Sequence, residues 1–212
     1  MNATVNDQSD MVLRALNAVT GDRAVTARTW EEWVAAISDR EPSLLVLLSH
    51  TVTDRGSAKL EIGPDGTGSR CERIEVVQEF VKKSATDAPV VLLLGCDTAV
   101  AKNDSQTFVA RFRDQGAALV VGTIAPVLGE HAAPVASTLV QTLRALMGQD
   151  ARARNGGGLM AEPDNGPGHG ARTFGDAMVT VRRKLLASGE LTALCVTAFG
   201  DANWRLAAQP GK

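Results

Sequence analysis

The sequence predicts an α/β domain in which a mostly parallel β-sheet lies between two layers of helices. Three short runs, 44–48, 89–94 and 117–122, are apolar throughout, as strands are when both faces of their sheet are covered. Amphipathic helical patterns separate such runs, which is typical of parallel strands joined by crossovers. The 212 residues, 44% of them hydrophobic, are enough for one sizeable core.

The first elements should begin at residue 10, after a flexible N-terminus over residues 1–9. Asp10 is the expected N-cap of a helix whose apolar face holds Val12, Leu13, Leu16 and Val19. A short strand follows in 23–29. Thr29 and Glu32 match the S/T-x-x-E capping box and predict a second helix, with Trp30, Trp33, Val34 and Ile37 on one face.

In the middle of the chain, strand 44–48 precedes a ribbon, AKLEIG, and the turn sequence GPDGTG. A third helix should then hold Ile74, Val77 and Val81, and strand 89–94 follows it. Asp104 is the expected N-cap of a helix that buries Phe108, Val109 and Phe112, before strand 117–122.

The last third predicts a long helix over 130–147, with an apolar face formed by Ala132, Val135, Ala136, Leu139, Leu143 and Leu146. Residues 148–172 are rich in glycine and predict a flexible loop. The final helix, 173–187, aligns Phe174, Met178, Val181 and Leu185, and 191–200 is the expected last strand. The domain should thus cover 10–207, with 208–212 as a tail.

The direction of the last strand follows from the number of times the chain crosses the sheet. Strand 117–122 ends at the edge formed by the carboxyl ends of the parallel strands, hereafter the carboxyl edge. Helix 130–147 returns the chain to the opposite edge, and helix 173–187 carries it back. Strand 191–200 should therefore start at the carboxyl edge and run antiparallel to its neighbours.

Two expectations about distance from the carboxyl edge depend on this direction. The segment GDANW (200–204) should lie far from that edge, so that Asp201 and Trp204 are structural. Loop 148–172 begins on the opposite edge and is expected to be a mobile surface connection rather than an active-site lid.

Composition and spacing exclude several classes of protein. A formal net charge of −2 gives no reason to expect nucleic acid or a membrane surface as partner, and no apolar run is long enough for a membrane span. The N-terminal sequence lacks the pattern of a signal peptide, and three widely spaced cysteines argue against a disulfide framework, so we expect a reducing cytoplasm. Scattered His and Cys residues predict no metal, and the glycine clusters lack the context of a phosphate loop, so no cofactor is expected.

Two strand ends carry residues suited to chemistry: His50 and Cys96 each follow a buried strand. Since ligand and catalytic sites in open α/β sheets gather at the carboxyl edge, the two side chains can converge if strands 44–48 and 89–94 are neighbours. A thiol beside an imidazole is a nucleophile beside its base. The alternative is that Cys96 is a small buried hydrophobe and His50 an ordinary polar residue.

The other His and Cys residues are expected to be structural. Cys195 should be a core residue within the last strand, and Cys71 should lie in a loop. His131 is expected in the first turn of a helix, and His169 lies in the glycine-rich loop.

Five segments, in this order, resemble the CHAT domain, a caspase-like cysteine peptidase domain of clan CD: LLVLLSHT, VVLLLGCDTA, FVARFRDQGAALVVGTIAPV, FGDAMVTVRRKLLASGE and VTAFGDANWRL. The resemblance covers about residues 40–207. It implies a caspase-like three-layer sandwich, with a mostly parallel central sheet and an antiparallel last strand. It also implies a cysteine endopeptidase in which His50 and Cys96 form a catalytic dyad.

In that mechanism His50 keeps Cys96 as the thiolate and later protonates the leaving amine, while the backbone N–H groups of Cys96 and Thr51 hold the oxyanion. The family commonly has glycine where Thr51 stands, and a β-branched residue restricts the backbone there. Gly95, before the cysteine, permits a close approach.

The expected substrate-binding residues are Asp97 and the loop after strand 117–122, represented by Gly122, Thr123, Ile124 and Ala125. This loop is apolar, which speaks against a strict preference for arginine or aspartate, although Asp54 or Asp97 can supply an acid. The resemblance implies a protein substrate, for which a pore-forming effector fits the family. It also implies a sensor or regulatory module in the same or a neighbouring chain, as in a bacterial defence or signalling system.

Two other classes remain open from the sequence. A catalytically inactive interaction or scaffold module can have the same fold. A receiver-like or nucleotide-binding domain would need an acidic cluster at the strand ends or a glycine-rich strand–helix turn, and the sequence has neither.

Overall fold

A computed structural model describes residues 3–6, 10–20, 24–54, 57–63, 68–84, 88–95, 107–127, 129–155 and 173–204. Its strands are β1 (Ala3–Asn6), β2 (Ala24–Ala27), β3 (Leu44–Asp54), β4 (Ser57–Ile62), β5 (Ser69–Glu72), β6 (Val90–Gly95), β7 (Leu119–Thr123) and β8 (Val196–Gly200). Its helices are α1 (Asp10–Thr20), α2 (Trp30–Arg40), α3 (Phe108–Asp114), α4 (Gly129–Asn155) and α5 (Phe174–Ala187).

The central sheet has the strand order β2-β1-β3-β6-β7-β8. The first five of these strands are parallel, whereas β8 pairs antiparallel with β7, so the predicted direction of the last strand is confirmed. Val196 lies opposite Thr123, and Gly200 lies opposite Leu119 at the start of β7. The segment that follows Gly200 is therefore on the edge opposite the carboxyl edge, as expected for Asp201 and Trp204.

Alternation along the strands divides the core into two layers, one on each face of the sheet. Leu44, Val46 and Leu48 of β3 pack with α1, α4 and α5, whereas Leu45 and Leu47 pack with α2 and α3. Strands that are apolar on both faces thus produce the predicted three-layer sandwich. Most of the predicted inward-facing helix residues are buried, among them Val12, Leu16, Trp33, Ile37, Phe112, Val135, Leu139, Phe174, Met178 and Val181.

The N-terminus differs from the expectation of a flexible segment over residues 1–9. Ala3–Asn6 forms β1, which lies between β2 and β3 and pairs parallel with both. The expectation was therefore wrong for these four residues. A strand of four residues is too short to give a periodic signal, and its position depends on backbone pairing with strands far along the chain.

Helix caps agree in part with the sequence. The Thr29 hydroxyl accepts from the N–H of Glu32 as predicted, but Glu32 Oε2 accepts from the N–H of Arg28 at 2.6 Å, so only half of the capping box forms. The N-cap of α3 is Thr107, whose hydroxyl accepts from Ala110 N–H at 3.0 Å. The prediction of Asp104 as that cap was wrong, and Asp104 lies outside the described residues.

The predicted third helix does not form. Residues 73–75 and 78–80 are separate 3-10 turns, Ile74 is 72% exposed, and the buried valines here are Val76 and Val81. Side chains from other elements take the backbone carbonyls that a helix would use: Arg111 Nε donates to Val76 O, and Trp33 Nε1 donates to Phe80 O. Tertiary contacts thus override an apolar spacing that resembles a helix.

Helix α4 is longer than predicted, because it continues through 148–155, the first part of the predicted loop. Alanine and arginine in that segment favour the helical state. Residues 156–172, which include His169, lie outside the described residues, so their role as a mobile connection stays a prediction. None of the described helices, α4 included, combines the length and the apolar character needed to cross a membrane.

The two described cysteines are placed differently from the predictions. Cys195 precedes β8, at the end of a 3-10 turn over residues 191–194, and is only partly buried, so the prediction of a core residue within the strand was wrong. Cys71 lies in β5 and is buried, rather than in a loop. Pairing of β5 with β4 accounts for this burial, since Cys71 lies opposite Leu60.

Candidate active site

The candidate site lies where β3 and β6 meet the carboxyl edge. These strands are parallel neighbours, and the last residues paired in their register are Ser49 and Gly95. His50 follows Ser49 in the sequence, and Cys96 follows Gly95, so the two residues that precede the predicted dyad lie opposite each other. Cys96 and Asp97 lie outside the described residues.

The sequence predicted that His50 follows the end of its strand. In the structure His50 lies within β3, which continues to Asp54. From His50 onward β3 pairs antiparallel with β4, and His50 lies opposite Glu61. His50 is therefore at the residue where β3 changes its partner from β6 to β4. Its side chain is partly buried.

Glu61 places a fully buried carboxylate opposite His50, and sequence reasoning missed it. Its Oε1 accepts from Gly68 N–H at 2.8 Å, and its Oε2 lies 3.7 Å from Nε of Arg70 on β5. Directly opposite residues on one face of an antiparallel pair have Cβ atoms about 4.5–5.5 Å apart. A buried carboxyl group thus belongs to the residue that is paired with His50. The available signal was a lone acid between buried apolar residues in AKLEIG.

Gly95 is in a position that no larger residue can occupy without movement of the backbone. A Cβ atom built there would lie closer than 3.0 Å to the carbonyl oxygen of Ser49, a separation that real Cβ atoms essentially never show. On its other side, the hydroxyl of Thr123 donates a hydrogen bond to the carbonyl oxygen of Gly95. Gly95 is therefore held by both neighbouring strands immediately before the predicted nucleophile.

The loop after β7 contributes fewer side chains to the surface than the sequence suggested. Gly122 and Thr123 are buried, Ala125 is partly exposed, and Ile124 is 49% exposed. The N–H of Ile124 donates to Cys195 O at 2.8 Å, which holds the loop beside the segment before β8. That segment adds two exposed apolar side chains, Leu191 and Leu194.

The remaining described His and Cys residues have structural surroundings. His131 lies in the first turn of α4, as predicted, with its Nδ1 3.5 Å from Glu190 Oε1. Burial, followed by the charges of Glu75 and Glu72, raises the pKa of the Cys71 thiol to about 12. Cys71 is thus a protonated, unreactive thiol at neutral pH. Among the residues that the structure describes, no group of three or more His, Cys, Asp or Glu side chains could hold a metal ion.

Comparisons with known proteins show similarity in structure alone. The sequence matches no family model and no curated protein. The Porphyromonas gingivalis RgpB pro- and mature-domain complex is similar with a TM-score of 0.58 and 14% identity, over 95% of this chain and 47% of that chain. The Arg-specific cysteine proteinase gingipain R (RgpB) is similar with a TM-score of 0.57 and 15% identity, over 97% and 47%.

A Saccharomyces cerevisiae separase–securin complex has a TM-score of 0.47 and 13% identity, over 93% of this chain and 12% of that chain. The matches to the two gingipain structures cover 47% of each gingipain chain, so this chain spans about half their length. The three-layer sandwich with an antiparallel last strand is the caspase-like fold of gingipain R, so the predicted fold class is confirmed. At these identities the similarity establishes the fold and not the activity.

Proposed function

We propose that the chain is a caspase-like cysteine endopeptidase in which His50 is the general base and Cys96 the nucleophile. The observation that carries this proposal is the register of Ser49 with Gly95 at the carboxyl edge. Paired strands lie about 4.8 Å apart, and consecutive Cα atoms are about 3.8 Å apart, so a residue that follows Gly95 begins within reach of His50.

In the proposed reaction the Cys96 thiolate attacks the scissile carbonyl carbon, while His50 holds the thiol proton. The tetrahedral oxyanion accepts hydrogen bonds from the backbone N–H groups of Cys96 and Thr51. When the carbon–nitrogen bond breaks, His50 donates its proton to the leaving amine, and water then releases the acyl group from Cys96. The pairing of β3 with β6 ends at Ser49. The residues of β3 that come after Ser49, which include His50 and Thr51, are those assigned to the site.

For substrate recognition we propose contacts with the side chains of Ile124 and Ala125. Gly122 has no side chain and that of Thr123 is buried, so these two residues would contribute backbone contacts only. Asp97, next to the nucleophile in the sequence, completes the proposed set. The exposed apolar residues at this edge favour an apolar substrate side chain over a charged one.

We further propose that the chain is a CHAT-type peptidase of a cytoplasmic bacterial defence or signalling system. The order of the five segments in the sequence supports this finer assignment. Its substrate would be a protein, such as a pore-forming effector, and a sensor or regulatory module in the same or a neighbouring chain would control it.

An inactive interaction module with the same fold is the second candidate. The observation that favours it is Thr51, which stands where the CHAT pattern commonly has glycine. A cleavage assay separates the two candidates, because a scaffold needs the fold but no reactive thiol.

The proposal predicts that the wild-type chain cleaves peptides in a proteome-derived library, with products identified by mass spectrometry. Cleavage sites should be enriched in apolar residues beside the scissile bond, and the Cys96→Ala variant should give no products. Products that are identical for the two proteins would contradict the proposed function, since they would arise from a contaminant or from another group in the chain.

A further inference from the structure

We infer that Thr123 is a positioning residue for the proposed nucleophile, acting through its hydrogen bond to the carbonyl of Gly95. This inference rests on the proposed function, because it concerns how Cys96 is held. It gives the side chain of Thr123 a role other than the substrate contact that the sequence suggested, while the backbone of Thr123 stays in the proposed substrate site. The side chain is completely buried, so its hydroxyl is not available to a substrate.

The hydrogen bond lies where the backbone ladder between β6 and β7 stops. The register of these strands extends to the pair of Leu93 and Gly122. Gly95 lies two residues further along β6, and there the hydroxyl of Thr123, the last residue of β7, donates to its carbonyl oxygen. A side chain thus continues the connection between the two strands up to the residue before Cys96.

The planarity of the peptide group extends this constraint to Cys96. The carbonyl of Gly95 and the N–H of Cys96 belong to one peptide unit, which is rigid and almost always trans. In a trans unit the C=O and the N–H point in opposite directions. A hydroxyl that fixes the carbonyl therefore also sets the direction of the N–H, which is one of the two proposed oxyanion donors.

On the side that faces β3, the backbone of Gly95 has little room to move. The Ser49 carbonyl lies so close that even a methyl group would not fit. Backbone contact from β3 and a side-chain hydrogen bond from β7 therefore act on the same residue from opposite sides. Loss of the hydroxyl should release one of these two constraints while the packing of the strand is retained.

The test compares Thr123→Val, which removes the hydroxyl but keeps the shape, with Thr123→Ser, which keeps the hydroxyl. Thr142→Val is the matched control, because Thr142 is also buried and its hydroxyl has no hydrogen-bond partner within the described part of the chain. Alkylation of Cys96 by iodoacetamide is followed from pH 5 to 9 on the tryptic peptide 84–102, and kcat and KM are measured on a peptide selected from the library.

We expect Thr123→Val to lower kcat about tenfold to a hundredfold with little change in KM, since a misplaced reacting group affects the chemical step. The alkylation profile of Cys96 should move toward higher pH in the same variant. Thr123→Ser should restore both properties, and Thr142→Val should resemble the wild type in both.

A folded Thr123→Val protein with the kcat and the alkylation profile of the wild type would overturn the inference about Thr123. The proposed function would still stand in that case if the reactivity of Cys96 depends on His50. If Thr123→Val does not fold, Thr123→Ala replaces it, and equal activity of the Ala and Ser variants would overturn the inference. Wild-type Cys96 that reacts no faster than a free cysteine would contradict the proposed function itself, and the inference with it.

Discussion

Cys96→Ala and His50→Ala should each lower the rate of peptide cleavage about 10⁴-fold or more. The double variant should be no slower than either single variant. The physical reason is that the nucleophile and its base act as one unit, so that loss of either removes the covalent route. The measurement is the single-turnover rate on a library-selected peptide.

Cys195→Ala is the control for this series, because Cys195 is a free thiol that is only partly buried and lies before β8. It should cost about 1 kcal/mol or less in the free energy of unfolding, since little volume is removed from the core. Its activity per folded molecule should equal that of the wild type. Loss of cleavage in Cys195→Ala, with cleavage retained in Cys96→Ala, would show that the wrong thiol was assigned.

Gly95→Ala should destabilise the sheet and displace the proposed nucleophile. The new Cβ would collide with the Ser49 carbonyl, which is part of the backbone and cannot rotate aside. We expect a loss of about 1–3 kcal/mol in the free energy of unfolding, as for an overpacked core. Displacement of Cys96 should lower kcat about a hundredfold in the molecules that remain folded. Chemical denaturation and steady-state kinetics measure the two effects.

Gly175→Ala is the matched control for this change. Its Cβ would meet the Ala202 carbonyl at 3.2 Å, a contact relieved by a shift of a few tenths of an ångström, and it lies at the edge opposite the site. We expect its activity to be unchanged. Wild-type stability and kcat in Gly95→Ala would show that β3 and β6 are not as close at this position as described.

The central strands and the buried helix faces were predictable from the sequence because their signal is local. The run at 44–48 is apolar on both faces, and the spacing of Phe174, Met178 and Val181 alone indicates which side of α5 is buried. The antiparallel direction of β8 was also predictable, since each helix that crosses a layer reverses the edge at which the next strand begins.

The rest of the fold depends on contacts between distant residues. Strand β1 needs β2 and β3 on either side of it, and the region predicted as the third helix is shaped by Arg111 and Trp33 from other elements. Neither set of contacts leaves a periodic pattern in the local sequence. Pairing across the hairpin likewise extends β3 past His50, which the apolar run alone did not indicate.

The candidate site was predictable only in outline. A polar residue after each of two apolar runs indicated His50 and Cys96, and the parallel direction of the two strands indicated that both runs end at one edge. That the two strands are neighbours is known only from their pairing in the structure. The buried carboxylate of Glu61 and the hydrogen bond from Thr123 to Gly95 were not predictable, because both are side-chain contacts across strands. Thr123 looked like a loop residue near a substrate, whereas it is the buried end of β7.

The rate of Cys96 alkylation by iodoacetamide at pH 6.5, in the wild type and in His50→Ala, tests directly whether these two residues form a catalytic dyad. A free cysteine has a pKa of about 8.5 and is almost entirely protonated at that pH, whereas an imidazole neighbour keeps a thiol ionised. Wild-type Cys96 should react about tenfold or more faster than free cysteine, and His50→Ala should remove this advantage. Equal rates for the two proteins, both no faster than free cysteine, would contradict the dyad.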